Sequence, residues 1–216
     1  MADITKKKVI EGRGASDLVY ALVTSDTDEE YTTGEVKHLI PLATITKTTE
    51  TSSESHYYDN VAAVSISSEG TDEISITGAL IDLETLAEIT GKSYDPTTGL
   101  YSDAPATTPY VALGYKSQNS DGSEYYAWRL KGTFSIPDET ANTKDDGTEG
   151  VGTELTFTGI YTTHVFQKGR AIKGTSDSVT YEPAQSKGVK IDVPSDKVDV
   201  STFFDTVATP DTIVAE

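Results

Sequence analysis

Period-two alternation of apolar and polar residues, interrupted at short intervals by polar turns, most constrains what this chain can fold into. Residues 61–67 set Ala62, Val64 and Ile66 against Ala63, Ser65 and Ser67. Residues 72–77 set Ile74 and Ile76 against Glu73, Ser75 and Thr77. Residues 110–115 carry Val111, Leu113 and Tyr115 on one face, and residues 124–130 carry Tyr126, Trp128 and Leu130 opposite Tyr125, Ala127 and Arg129. Residues 153–162 alternate Leu155, Phe157, Gly159 and Tyr161 with Glu154, Thr156, Thr158 and Ile160. Successive side chains of an extended backbone point to opposite faces, so this spacing specifies half-buried strands. Residues 18–23 are apolar on both faces, which predicts a central strand. The Thr-rich residues 43–48 suit an exposed one. The chain is read as mainly β.

The punctuation predicts how these strands connect. An Asp121-Gly122 pair inside residues 117–123 marks a hairpin turn. Ser68, Glu69, Gly70 and Thr71 read as a turn joining 61–67 to 72–77. The polar residues 49–55, followed by His56, Tyr57 and Tyr58, make 42–60 a long hairpin or protruding loop whose aromatic return limb packs on something. Gly132 leads into 133–136 past a bulge. One helix is predicted: Asp82 caps it, Leu83, Leu86, Ala87 and Thr90 form its stripe, and Gly91 supplies the left-handed stop. It is too short to stand alone and must lie on the sheet. Trp128, the single tryptophan, is a core residue. Residues 92–109 form a polar connection and 137–152 an acidic loop. The chain divides into an N-terminal arm (1–16), a β domain (17–166) and a C-terminal extension (167–216). That extension holds short strands within 178–192 and an extended end, 193–216.

Charge and composition exclude several classes of function. There are 35 acidic against 17 basic residues, a net charge of −18. Binding nucleic-acid phosphates needs cations that this chain lacks, although an acidic wall would let DNA slide past it. With no cysteines, zinc-thiolate sites, disulfides and thiol nucleophiles are ruled out. The basic start is followed by no apolar run, so it is not a signal peptide, and no stretch approaches the ~20 apolar residues of a membrane helix. Synthesis in a cytoplasm is expected. His38, His56 and His164 have no metal-binding spacing, and no nucleophile elbow, phosphate-binding loop or dinucleotide fingerprint occurs. The expectation is a protein without catalytic, cofactor or metal residues.

What remains is a building block whose chemistry lies in its interfaces. Lys6, Lys7 and Lys8 are either a frayed terminus or a cationic arm that docks on an acidic neighbour. Phe203 and Phe204 are exposed apolar residues in an acidic tail, either a local packing anchor or a hook into another subunit. A rival reading makes Tyr57, Tyr58, Tyr125 and Tyr126 a stacking platform of a carbohydrate- or cell-surface-binding β-sandwich.

The order of these segments resembles the major tail proteins of long, non-contractile-tailed bacteriophages, especially of Gram-positive hosts. The likeness is carried by residues 1–12 with Leu18-Val19-Tyr20-Ala21-Leu22 after them, Tyr57-Tyr58-Asp59-Asn60 before a strand, and the helix segment 81–91. Residues 110–115 and Tyr126-Ala127-Trp128-Arg129-Leu130 match the closing pair, and residues 201–207 match the family's ending. The resemblance implies a tail-tube-type β-barrel or sandwich with one short flanking helix, an N-terminal arm, a long loop and an extended C-terminal segment. It implies six-subunit rings stacked into a hollow tube, with four strands per subunit joining one inner barrel and DNA only as passing cargo. It also implies contacts with tape measure, tail terminator and distal tail proteins, or, in the nearest variant, a neck or tail-tip role. For ring-to-ring contacts the candidates are Lys6, Lys7, Lys8, Lys47, Glu50, Glu54, Tyr57 and Tyr58, with Phe203 and Phe204 as C-terminal anchors.

Overall fold

The alternation is realised as one large antiparallel sheet. The computed structural model describes residues 9–58, 61–143, 151–173, 179–193 and 198–213, with Tyr58, Ala62 and Ala63 described by backbone alone. Strand β1 (Gly12–Asp26) pairs along one edge with β8 (Val111–Asn119), and its other edge takes the short β2 (Tyr31–Thr33) and β3 (Lys37–His38). Strand β8 turns back as β9 (Glu124–Phe134), with Gly122 at φ 83° in the connection, where a side chain would be strained. β9 then divides its partners. Residues 124–129 pair with β13 (Gly188–Val193), and residues 132–134 pair with β10 (Thr153–Gly159). From β10 the sheet continues to β5 (Val61–Gly78) and ends at β4 (Leu42–Tyr58). Two small hairpins lie outside it: β6 (Ser93–Asp95) with β7 (Leu100–Ser102), and β11 (Phe166–Lys173) with β12 (Val179–Ala184).

Both faces of the central strands are covered. Leu18 and Tyr20 of β1, Val111 and Leu113 of β8, and Phe134, Leu155, Phe157, Ile74 and Ile76 form one core. The intervening residues Val19, Ala21, Ala112, Trp128 and Leu130 form a second core, closed by Phe166, Ile191, Phe203 and Val207. The expectation of a central strand at 18–23 and a buried Trp128 therefore holds. Helix α1 (Leu83–Thr90) also forms as read, with the Asp82 carboxylate accepting from the Thr85 N–H at 2.8 Å and Gly91 at φ 74°.

Several expectations are corrected. No turn interrupts residues 61–78. They form a single strand, and Gly70 sits opposite an irregularity at Glu50, where an added Cβ would lie 2.9 Å from the Glu50 carboxylate. Residues 12–16 are not arm but the start of β1, because β8 continues far enough to pair with them. The segment beyond 166 is not an appendage: β13 is part of the main sheet, and residues 201–207 coil in turns over Trp128 rather than running extended. Residues 92–109 contain the β6–β7 hairpin. The helix buries Leu86, Ala87, Ile89 and Thr90, leaving Leu83 exposed. The acidic loop lies partly outside the described residues, which stop at 143 and resume at 151.

One close approach is testable. A Cβ on Gly132 would lie 2.5 Å from the Thr158 carbonyl oxygen and 2.7 Å from an edge of the Phe157 ring, in a filled core. Gly132→Ala should therefore lose about 1–3 kcal/mol through overpacking. Gly12→Ala, which meets nothing within 4 Å, should leave the urea midpoint unchanged.

Candidate assembly surface

The β4–β5 hairpin outruns the sheet that supports it. β10 accompanies β5 only from Gly78 to Asp72, where its last residue, Gly159, is reached. Beyond that point β4 and β5 continue as a two-stranded ribbon, still in register from Thr51/Glu69 to Tyr58/Val61. Those nine or so residues extend the ribbon by roughly 30 Å at the usual strand rise. The two faces differ. Val64 and Ile66 share a face with His56 and Glu54, whereas Ser53, Ser55, Ser65 and Ser67 line the other. Two β5 residues, Gly70 and Thr71, stand opposite the single Glu50, so the alternation inverts there: the serine face continues the one that carries Asp72, Ile74 and Ile76, whereas Val64 and Ile66 continue the open face of Glu73 and Ser75 and are exposed, as are Tyr57 and Val61. A two-stranded ribbon on its own is at best marginally stable in water. β4 is also the last strand of the sheet, and no described strand pairs with its outer edge.

A buried ionic cluster fixes the ribbon where it leaves the sheet. The Asp72 carboxylate is 2 % exposed and lies 3.1 Å from the Lys47 ammonium, 3.4 Å from that of Lys187 and 3.7 Å from the Arg129 guanidinium. The Thr49 hydroxyl donates to it at 2.9 Å and in turn accepts from Lys47. Lys187 also donates to the Glu69 carboxylate at 3.1 Å and the Gly70 carbonyl at 2.5 Å, and lies over the Tyr161 ring. One carboxylate thus ties together β4, β5, β9 and the approach to β13. Burial pushes the Asp72 carboxyl upward, but the Thr49 hydroxyl and the Lys47 and Lys187 cations outweigh it and hold the group below the ordinary range. Burial likewise pushes Lys187 down, and its acidic partners more than restore it. A second buried carboxylate, Asp26, accepts from Lys131 at 2.5 Å and from the backbone N–H groups of Thr163 and His164. These contacts overcome its burial and lower its pKa too.

The residues singled out from sequence fall in different places. Lys6, Lys7 and Lys8 lie outside the described residues, as does the Tyr58 side chain. Lys47 belongs to the Asp72 cluster and so cannot extend to a neighbour without breaking it. Glu50 packs over Gly70 and accepts from the Thr71 hydroxyl at 3.2 Å. Glu54 and Tyr57 stand exposed on the ribbon. Phe203 and Phe204 are not exposed: they pack on Tyr126, Phe204 also meets the Trp128 ring, and the Trp128 indole N–H donates to the Phe203 carbonyl at 2.9 Å. They therefore anchor their own chain. Among the described tyrosine side chains no shared platform forms: Tyr125 packs on the sheet face that carries Tyr115, Tyr126 packs on the opposite face against Phe203, and Tyr57 lies far out on the ribbon. Sequence reading missed Asp72 and Lys187, since a charged residue gives no local sign of a distant partner.

Among the described residues no three His, Asp or Glu side chains converge as a metal site, and no helix is long and apolar enough to cross a membrane. The sequence matches no known family model and no curated protein.

Proposed function

We propose that this chain is a structural subunit of a phage tail tube, whose copies close into six-membered rings and stack into a conduit for the genome. The observation that carries the reading is the projecting ribbon. It runs on beyond β10 and presents Val64 and Ile66 on its open face with no described residue covering them, while its root is held rigid by buried charges. Such a ribbon is stabilised when neighbouring copies supply the missing strands, and closure of strands into a common barrel removes the open edges that would otherwise aggregate. The serine-rich face suits a water-filled lumen, and a net charge of −18 per copy suits a wall that DNA passes without sticking. The ordered resemblance to major tail proteins supports the same assignment. On this reading the protein works in the virion tail, its main partner is itself, and tape measure, tail terminator and distal tail proteins bound the tube. It makes and breaks no covalent bond.

Negative-stain microscopy of the purified, concentrated protein tests this. Uniform rings or hollow cylinders are expected. A protein that stays monomeric at every salt and protein concentration would overturn the assignment.

A further inference from the structure

The bulge at the root of the ribbon decides what each of its faces carries. Thr49 stands opposite Asp72, but further along β4 Thr51 stands opposite Glu69 rather than Gly70. Gly70 and Thr71 both lie on the Glu50 side: a Cβ on Gly70 would lie 2.9 Å from the Glu50 carboxylate, and that carboxylate accepts from the Thr71 hydroxyl. Continued without the extra residue, the pairing of Thr49 with Asp72 would set Thr51 opposite Gly70, Ser53 opposite Ser68 and Ser55 opposite Ile66. A slip of one residue turns every side chain of the slipped strand to the other face. Val64 and Ile66 would then share a face with Ser53 and Ser55, and Glu69 would point away from the side that carries Asp72. The bulge therefore sorts hydroxyls onto one face of the ribbon and apolar side chains onto the other.

One buried cation distinguishes the two registers. Lys187 is held from outside the ribbon: its carbonyl accepts from the Leu130 N–H at 2.9 Å, and Gly188 after it begins the pairing of β13 with β9. Its side chain is 7 % exposed and reaches the ribbon's root. An ammonium has three hydrogens to donate. Their acceptors are Asp72 on the sheet side of the bulge, the Gly70 carbonyl within it and the Glu69 carboxylate beyond it. Glu69 lies on this side only in the bulged register. In the unbulged one the same charge keeps Asp72 and loses Glu69 to the far face, and a buried ammonium with unmet donors is costly. The Ser52–Ser68 and Ser53–Ser65 hydroxyl contacts also belong to the observed register, but they are exposed and water replaces them at little cost.

We propose that Lys187 selects the register of the β4–β5 ribbon and so determines which chemistry each of its faces presents. It is a positioning residue that acts within one chain. Its bearing on assembly rests on the tube reading: there the sorted faces let Val64 and Ile66 meet a neighbouring copy while the serines stay in water.

Engineered disulfides read the register, since the chain has no cysteine of its own. Ser53 and Ser67 stand opposite each other, so Ser53→Cys with Ser67→Cys should form a bridge when the dilute monomer is oxidised. Ser53→Cys with Ser68→Cys should not, because those side chains point to opposite faces. Adding Lys187→Met should reverse the pattern, with the 53–67 bridge lost and the 53–68 bridge gained. Deleting Gly70 as well makes the observed pairing the regular one, so the 53–67 bridge should return without the lysine. Fluorescence of the buried Trp128 reports the fold of each protein. Glu69→Ala removes one acceptor from a half-exposed side chain, spares the fold, and should move part of the population to the 53–68 bridge. An unchanged 53–67 bridge in folded Lys187→Met, or in Glu69→Ala where Lys187→Met does not fold, overturns the selection. Microscopy reads assembly separately. Rings lost in Lys187→Met and recovered on deleting Gly70 tie the register to assembly. A parent that forms the 53–67 bridge but never rings overturns the tube reading and leaves the register assignment standing.

Discussion

Replacing Asp72 by alanine is expected to be the most damaging single substitution outside the apolar core. It leaves Lys187 and Arg129 buried around a vacancy, and removing one member of a buried ion pair costs about 3–5 kcal/mol because the remaining charge stays desolvated. For a chain of this length that corresponds to a melting temperature lower by about 10 °C. Lys47→Ala touches the same cluster but removes a side chain that is one-quarter exposed, so it should cost under about 1 kcal/mol. The contrast separates a buried hub from an ordinary surface pair. The sign of the pH dependence follows from the lowered pKa of Asp72. Its contribution is fully present above the ordinary carboxylate pKa of about 4, and is lost as the pH falls through the lowered folded value. The gap in stability between the wild type and Asp72→Asn should therefore be constant near neutrality and shrink under acid. Asp26, lowered in the same direction, leaves residual acid sensitivity in both proteins. Urea denaturation followed across pH measures both effects. Equal stabilities at pH 7 would show that the cluster is not a hub.

What the sequence disclosed and what it concealed divide along a physical line. Alternation at 110–115, 124–130 and 153–162 identified strands because the signal is local and repeated, although the last of them ends at Gly159. Asp82 and Gly91 marked the helix ends because caps act within a single turn. Gly70 was misread because turn chemistry and bulge chemistry use the same residues. What decides between them is whether a partner strand continues alongside, and here β4 does. Leu83 was misplaced because a stripe says which residues share a face but not how an eight-residue helix is rolled on its sheet. The Asp72–Lys187 contact joins residues 115 positions apart, and each charge alone reads as surface. Phe203 was taken as exposed because its neighbours in sequence are acidic, whereas its neighbours in space are Tyr126 and Phe204. The exposed face of the ribbon was legible as alternation at 61–67, but its exposure was not, since exposure depends on where β10 stops.

Cutting the ribbon back should abolish assembly while sparing the fold. Replacing residues 54–66 by Asn-Gly joins Ser53 directly to Ser67, which already face each other across the hairpin, through a two-residue turn suited to strand twist. The excised residues are exposed wherever their side chains are described, and none belongs to either core. The Asp72 cluster and the Thr49 contact remain below the cut. The thermal midpoint of the monomer should accordingly move by no more than a few degrees, whereas rings and cylinders should disappear at concentrations where the intact chain forms them. A milder variant, Val64→Ser with Ile66→Ser, keeps the ribbon's length and removes only its apolar face. If burial of that face against a neighbouring copy drives closure, the two lost side chains are together worth about 3–6 kcal/mol per subunit at the interface, enough to raise the assembly threshold by orders of magnitude. If instead backbone pairing along the open edge of β4 dominates, the double serine variant should assemble nearly as well as the parent and only the truncation should fail. Either pattern locates the closing contact on this ribbon. Full assembly by the truncated chain would place it elsewhere and remove the main support for the tube.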